Sequence, residues 1–328
     1  MHSVNDLVKD IKGERLPLDG CPVNLGGKNR VNIVALGDVG TTMLIGLRLL
    51  GADVISEIGI CDIRRENTER LEREINQIIY PFGMQELPPV KIASEDELFD
   101  CDVLIFCASK GVPPVQPGDK TDVRMVQLEA NREIIRHYAG LAAAADGGNG
   151  YKGMVCVVSD PVDNLCAAFL DESGLKPWQI QGYGLGVMNA RALYYAGKDV
   201  RFSAYAEKGR VFGPHGRDLV VAVDTENYDD GLSRELTGYV TGANTEIRDL
   251  GFKPYIAPAL SSAAISILLT LRSEWHYGSL YFGAEDDGAF LGIRNRLTES
   301  GYEYEDLPLC DELYARIEAA YNNLRNIR

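Results

Sequence analysis

The stretch Val211 to Val220 reads VFGPHGRDLV and sets His215 between a proline and two glycines, directly after an apolar run. Histidine is the side chain best suited to moving a proton near neutral pH. The chain has only four: His2, His137, His215 and His276. In such a turn His215 is either an acid/base or a histidine at a solvent-facing bend. A second segment with chemical content is ALGDVGTTM, starting at Ala35. It places Gly37 and Gly40 in a G-x-G-x-x-G pattern, with Ala35 at the first glycine. Gly37 would let the backbone approach a pyrophosphate, and Gly40 would let the following helix pack close to the strand. Asp38 and Val39 lie between them, where the free N–H groups of a helix N-terminus would meet phosphates. Asp62 follows roughly 20 residues later, where a carboxylate would bind ribose hydroxyls. Its charge would repel a 2′-phosphate and points to NAD, although Arg64 and Arg65 lie just beyond it. The plainer alternative is a strand–helix turn with a surface aspartate.

The elements around these residues must position them. VNIVAL (31–36) is a continuous apolar run, as in a strand buried on both faces. The helical TTMLIGLRLLGA follows, then a second strand, VISEIGICD (54–62), and the amphipathic NTERLEREINQII. VKIAS is a short strand, and DVLIFCA, ending at Ala108, a strong one. KGVPPVQPGDKTD (110–122) is a loop by its proline and glycine content. A helix at roughly 123–145, the low-complexity patch GLAAAADGGNGYKG and the strand GMVCVVSDP (153–161) complete this half. Strands alternating with helices predict an α/β, doubly wound parallel sheet of Rossmann type. The pattern then changes. VRFSAYA, GRVFG and DLVVAVD read as short antiparallel strands. Helices follow near 231–250 and 258–273, then strands near 280–296 and a last helix from about 309. This half is α+β. The division is therefore 1–165, with 1–30 as an N-terminal extension, and 166–328 as the substrate domain.

Composition narrows the function classes. A chain of 328 residues with 45% hydrophobic and 25% charged residues has ample material for a core. A net charge of -15 argues against nucleic acid or an anionic membrane as partner. No apolar core of signal-peptide type opens the sequence, and no apolar stretch is long enough to span a bilayer. The seven cysteines form no CxxC pair and several sit in apolar runs. They read as reduced residues of a cytoplasmic protein, with no metal site.

Ordered blocks along the chain resemble the lactate/malate dehydrogenase family. ALGDVG looks like its glycine fingerprint. DVLIFCASKGVPP looks like its fourth strand, with Ala108 beside the cofactor, and the start of its mobile substrate loop. VVSDPVD is similar to its VVxNPVD strand end, and GYGLGVMNARALYY to its GxGxxLDSARFRY helix. VFGPHGRD resembles its histidine turn, IAPAL its YAPxA segment, and DLPLCDELYARIEAAYNNLR its closing helix. The resemblance implies hydride transfer between NAD and C2 of a 2-hydroxy acid, with His215 as acid/base. It places Arg191 as the clamp on the substrate carboxylate, a task suited to a planar guanidinium. It places Arg124 as the loop arginine, by its separation from Asn131. It also implies a homodimer or homotetramer. Arg191 has the alternative of a helix-face salt bridge, and Arg124 that of a solvated charge at a helix start.

The chain departs from the family pattern at the histidine's partner. Aligned without gaps from Gly182 to Arg191, Met188 stands where the family has its orienting aspartate. Methionine accepts no strong hydrogen bond and cannot counter an imidazolium. The family's NPVD asparagine is Asp160 here. Asp160 could orient His215 from another direction and favour a substrate with a positive group, or simply bind a backbone N–H or a ribose. Pro214 and Arg217 also replace family acids, and Arg217 reads as solvent-facing. Pro114, Val115 and Gln116 stand where malate enzymes carry an arginine. Two functions stay open. One is an active NAD-dependent dehydrogenase with an altered substrate. The other is a catalytically weak or inactive paralogue that binds a nucleotide or small acid as a sensor or partner.

Overall fold

The computed structural model describes residues 1–110 and 123–327, with backbone only for 123–127. Arg124 as a side chain, and Pro114, Val115 and Gln116, lie outside the described residues. The first half alternates strand and helix: β1 (Asn29–Val34), α1 (Asp38–Leu50), β2 (Ile55–Cys61), α2 (Arg65–Asn76), β3 (Val90–Ile92), β4 (Val103–Phe106), α3 (Val123–Gly148), β5 (Met154–Val157), α4 (Val162–Ser173) and β6 (Ile180–Gly182). β4 and β5 are buried at every position, as a strand covered on both faces must be. α3 loses helical angles at Ala145, within the small-residue patch.

The second half holds α5 (Leu185–Ala196), α6 (Tyr205–Lys208), β7 (Arg210–Phe212), β8 (Val220–Ala222), α7 (Asp230–Asp249), a π-helix (Pro258–Ala264), α8 (Ile265–Leu271), β9 (His276–Ala284), β10 (Asp287–Thr298), β11 (Gly301–Tyr304) and α9 (Asp311–Ile327). β7 and β8 pair antiparallel, as expected. VRFSAYA is not a strand. Val200–Phe202 is a 3-10 turn and Tyr205 opens α6. The Asp199 carboxylate accepts the Arg201 N–H at 2.9 Å and caps the turn. Phe202 and Tyr205, three residues apart, then face the same core, a helical rather than a strand spacing.

Among the described residues, nine strands form one sheet in the order β11-β10-β9-β6-β5-β4-β1-β2-β3. β1 to β6 run parallel, and β9 joins β6 antiparallel through Gly182 and Ser279. The late strands therefore extend the first sheet. Residue 165 falls inside α4. The N-terminal extension packs onto this added half: Leu18 accepts the Tyr302 N–H and Gly283 the Leu16 N–H, both at 2.8 Å. The chain steps from β1 outward to β3, then returns to β4 on the other side of β1. That reversal opens a crevice at the carboxyl ends of β1 and β4, where ligands of such sheets bind. No helix among the described residues is long and apolar enough to cross a membrane.

Candidate active site

The crevice is a cleft of about 1190 Å³ lined from both halves. Gly37, Asp38, Val39, Gly40, Asp62 and Ala108 line it from the sheet end, Asp160 and His215 from the centre, and Asn244, Arg248 and Lys253 from α7 and the segment after it. The glycine turn has a physical requirement at Gly40, where an added Cβ would stand 2.1 Å from the Ala35 carbonyl oxygen. Ala35 takes a left-handed φ of 69°, the conformation a glycine would adopt freely. For alanine this costs about 1–2 kcal/mol. Gly37 faces open space at the N-terminal end of α1. The turn is tied to β2 by Asp62, whose carboxylate accepts the Leu36 N–H at 2.7 Å and the Arg64 N–H at 2.9 Å. Open space before a helix N-terminus, in a cleft of this size, fits a dinucleotide.

His215 sits on the loop between β7 and β8 and is largely buried, its side chain 13% exposed. Its Nδ1 lies 3.0 Å from Asp160 Oδ1, while the Asp160 side chain is 49% exposed. The carboxylate therefore reaches the ring from the end of β5. Nε2 is buried and has no hydrogen-bond partner among the described residues. The close approach is permitted by Gly184, where an added Cβ would meet His215 Cβ at 2.8 Å. Asp160 is itself located through its backbone. The fully buried Asn131 on α3 donates to the Asp160 carbonyl at 3.0 Å and accepts the Lys110 N–H at 2.9 Å. Ser159 donates to the Ala108 carbonyl at 2.7 Å, joining the ends of β4 and β5.

Met188 is 3% exposed and packs with Leu185, Val187 and Ala192. Its sulfur lies 3.8 Å from Arg191 Nη1, the one polar contact it makes among the described residues. Arg191 is half-buried and donates from Nη2 to Asn244 Oδ1. Burial lowers the pKa of its guanidinium, against the opposing pull of Tyr195 and Asp160. No carboxylate pairs with Arg191 among the described residues. It is not itself among the lining residues, and meets the cleft through Asn244. Arg217 is exposed and lines a different surface depression.

Asp163, in the first turn of α4, is 4% exposed, and its Oδ1 has no partner among the described residues. Burial raises its carboxyl to about 6, with Ser279 and the neighbouring His215 pulling the other way. Cys107 lines the cleft, but burial pushes its thiol up to about 12, which leaves no nucleophilic thiolate at neutral pH. No group of metal-ligating side chains occurs among the described residues.

The residues that sequence reading missed are Asn244, Asp163, Arg248 and Lys253. Asp163 lies in the VVSDPVD block, so its neighbourhood to the histidine turn was within reach. The other three belong to a helix and loop without motif, and only the fold brings them to the cleft.

The family described as "lactate/malate dehydrogenase, NAD binding domain" matches residues 29–182. An L-lactate dehydrogenase of Treponema denticola is 30% identical over 189 residues, 58% of this chain and 55% of that protein. One from Mesomycoplasma hyopneumoniae is 26% identical over 196 residues, 59% of this chain and 57% of its own length. The chain thus spans a little over half the length of these curated relatives. Among solved structures, a lactate dehydrogenase from a Medee basin deep-sea metagenome library superposes with a TM-score of 0.73 at 19% identity, over 92% of this chain and 98% of that one. That likeness is one of fold.

Proposed function

We propose that the chain is a member of the lactate/malate dehydrogenase family, whose NAD-binding-domain model matches residues 29–182, and that it is an NAD-dependent oxidoreductase acting at C2 of a small 2-hydroxy or 2-oxo acid. The observation that carries the reading is the His215–Asp160 contact of 3.0 Å at Nδ1, with Nε2 left without a partner among the described residues. A carboxylate at Nδ1 fixes that nitrogen as the N–H and aims Nε2 at the substrate, the arrangement a proton-transferring histidine requires. NAD, when bound, supplies or accepts the hydride. In the reducing direction Nε2 donates its proton to the C2 oxygen, and Asp160 holds the ring and its charge. Asp160 thereby does from the β5 end what Met188 cannot do from α5.

Arg191 is the carboxylate clamp in this proposal. A guanidinium with a neutral amide acceptor and no carboxylate partner among the described residues suits an incoming carboxylate better than Asn244. Arg124 would polarise the C2 oxygen from the loop. Asp62 would meet the ribose, and Ala108 would lie against the cofactor. A cytoplasmic homo-oligomer, divided near residue 165, completes the proposal.

The test is oxidation of NADH by the full chain with a panel of 2-oxo and 2-imino acids. At least one substrate is expected to turn over, and His215→Asn to slow it by about 10²–10⁴-fold with NADH binding intact. Tight NADH binding with no turnover on any acid would support the second reading, a binding paralogue. The burial of Met188, which leaves α5 without a carboxylate for the histidine, favours that alternative.

A further inference from the structure

We propose that Lys253 and Arg248 clamp the pyrophosphate of the dinucleotide from across the cleft, and that Asp38 holds Lys253 in the phosphate's stead until the dinucleotide arrives. The inference rests on the cleft being the NAD site.

Lys253 Nζ lies 3.0 Å from Asp38 Oδ2, joining residues 215 positions apart in the chain. Asp38 is the first residue of α1, inside the glycine turn. Its carboxylate therefore lies beside the positive end of that helix, next to the open space at Gly37 where a phosphate would sit. The two side chains are 80% and 50% exposed, and an ion pair so exposed contributes little to folding. Its consequence lies in the cleft.

The charges around the cleft point the same way. Asp62 faces Arg64 at 3.9 Å, Glu95 faces His137 at 2.5 Å, and Glu133 faces Lys110 at 2.5 Å. With Asp160 on His215 and Asp38 on Lys253, each carboxylate that lines the cleft has a basic side chain beside it, a lysine or arginine at Asp38, Asp62 and Glu133. Arg248, in the last turn of α7, lines the same cleft and has no carboxylate partner among the described residues. Arg248, Phe252 and Lys253, within six residues of one another in the chain, all line this cleft. A pyrophosphate brings two negative charges to this place. It would take Lys253 from Asp38, engage Arg248, and receive the N–H groups at Gly37 and the start of α1.

Binding of ADP-ribose and of NADH to the full chain tests this by titration calorimetry and nucleotide fluorescence, without any turnover. Lys253→Gln and Arg248→Gln are each expected to weaken ADP-ribose by about tenfold, the loss of one charge-assisted hydrogen bond. Asp38→Asn is expected to tighten it several-fold, because a competing carboxylate is gone from the helix end. Lys12→Gln, an exposed lysine outside the cleft, controls for net charge and is expected to change nothing. A merely structural ion pair predicts the opposite pattern, with Asp38→Asn and Lys253→Gln shifting affinity alike. Weakening by Asp38→Asn, or unchanged affinity in both cation variants, would overturn the clamp. If the unmodified chain binds neither NADH nor ADP-ribose, the NAD reading itself fails, a result separate from those two.

Discussion

Two histidines show what separates a working ring from a structural one. His276 opens β9 and is 4% exposed. Its Nε2 lies 3.0 Å from Thr270 Oγ1 and 3.3 Å from Gln181 Nε2, and its Nδ1 lies 3.2 Å from the Glu274 carbonyl. Both nitrogens are occupied, inside a network that includes Tyr183 and Asn295. Burial lowers its pKa to about 4, so it is neutral at physiological pH. His215 has a carboxylate on one nitrogen and an unpartnered second nitrogen, among the described residues, beside a large cleft. A ring with both nitrogens used holds structure together. A ring fixed at one nitrogen and left without a partner at the other, among the described residues, is set up to exchange a proton.

The strongest way to break this contrast is Asp160→Asn. The amide can still accept at Nδ1, but it no longer offsets the imidazolium charge, and it can flip to present its NH2. Turnover is expected to fall by about 10²–10⁴-fold, the range of general acid–base contributions and of a lost orienting aspartate. NADH affinity should hold, because Asp160 acts on the ring. Steady-state kcat and a parallel NADH titration measure the two separately. A variant with undiminished kcat would show that another group holds His215.

Met188→Asp asks whether the family's arrangement can simply be restored. The side chain lies in an apolar cluster, three residues from Arg191 on the same helix face. A carboxylate there would have Arg191 as its nearest cation and would compete with the substrate's carboxylate for it. We expect KM for the acid to rise by about tenfold, one charge-assisted bond, with no gain in kcat. Thermal unfolding should also show a loss of stability, since a buried charge is only partly compensated. A gain in kcat would mean that α5 still presents this position to the ring, and that Asp160 is a secondary partner.

The same contrast shows which parts of the site were legible in the sequence. The glycine turn, Asp62 and the strand ends are local patterns: an apolar run, a turn and a helix start lie within a dozen residues of one another. Asp160 stood out because it breaks a motif, and the fold brings it to His215, 55 positions away. Asn244 and Lys253 carry no local signature, since only the path of α7 over the cleft gives them a partner. The short segment VRFSAYA misleads because its β-branched and aromatic residues resemble a strand, while the Asp199 cap and the Phe202–Tyr205 spacing turn it into helix. That β9 to β11 join the first sheet was equally hidden. Antiparallel hairpins announce themselves locally, but which older strand they pair with is decided by long-range packing alone.

The smallest expected effect on turnover comes from His276→Gln, and it sharpens the contrast from the structural side. Glutamine can keep a donor and an acceptor in the network, and no part of the cleft is touched. Turnover at neutral pH should be unchanged. The effect lies in acid stability. The folded pKa of about 4 is below the unfolded value of 6.5, so the unfolded chain binds the proton first as pH falls. Stability present above pH 6.5 is therefore lost progressively down to about pH 4, by up to about 3 kcal/mol for a shift of this size. Asp163 acts with the opposite sign. Its carboxyl, raised to about 6, contributes stability at low pH that is lost as pH rises through that value. The two windows overlap, so the informative quantity is the difference between His276→Gln and the unmodified chain. Urea unfolding at intervals from pH 7 to pH 4 should show the variant losing less stability on acidification. Equal slopes would mean that His276 accepts its proton in the folded state as readily as in the unfolded chain. The distinction between a histidine with both nitrogens bonded and one with an unpartnered nitrogen would then lose its energetic basis.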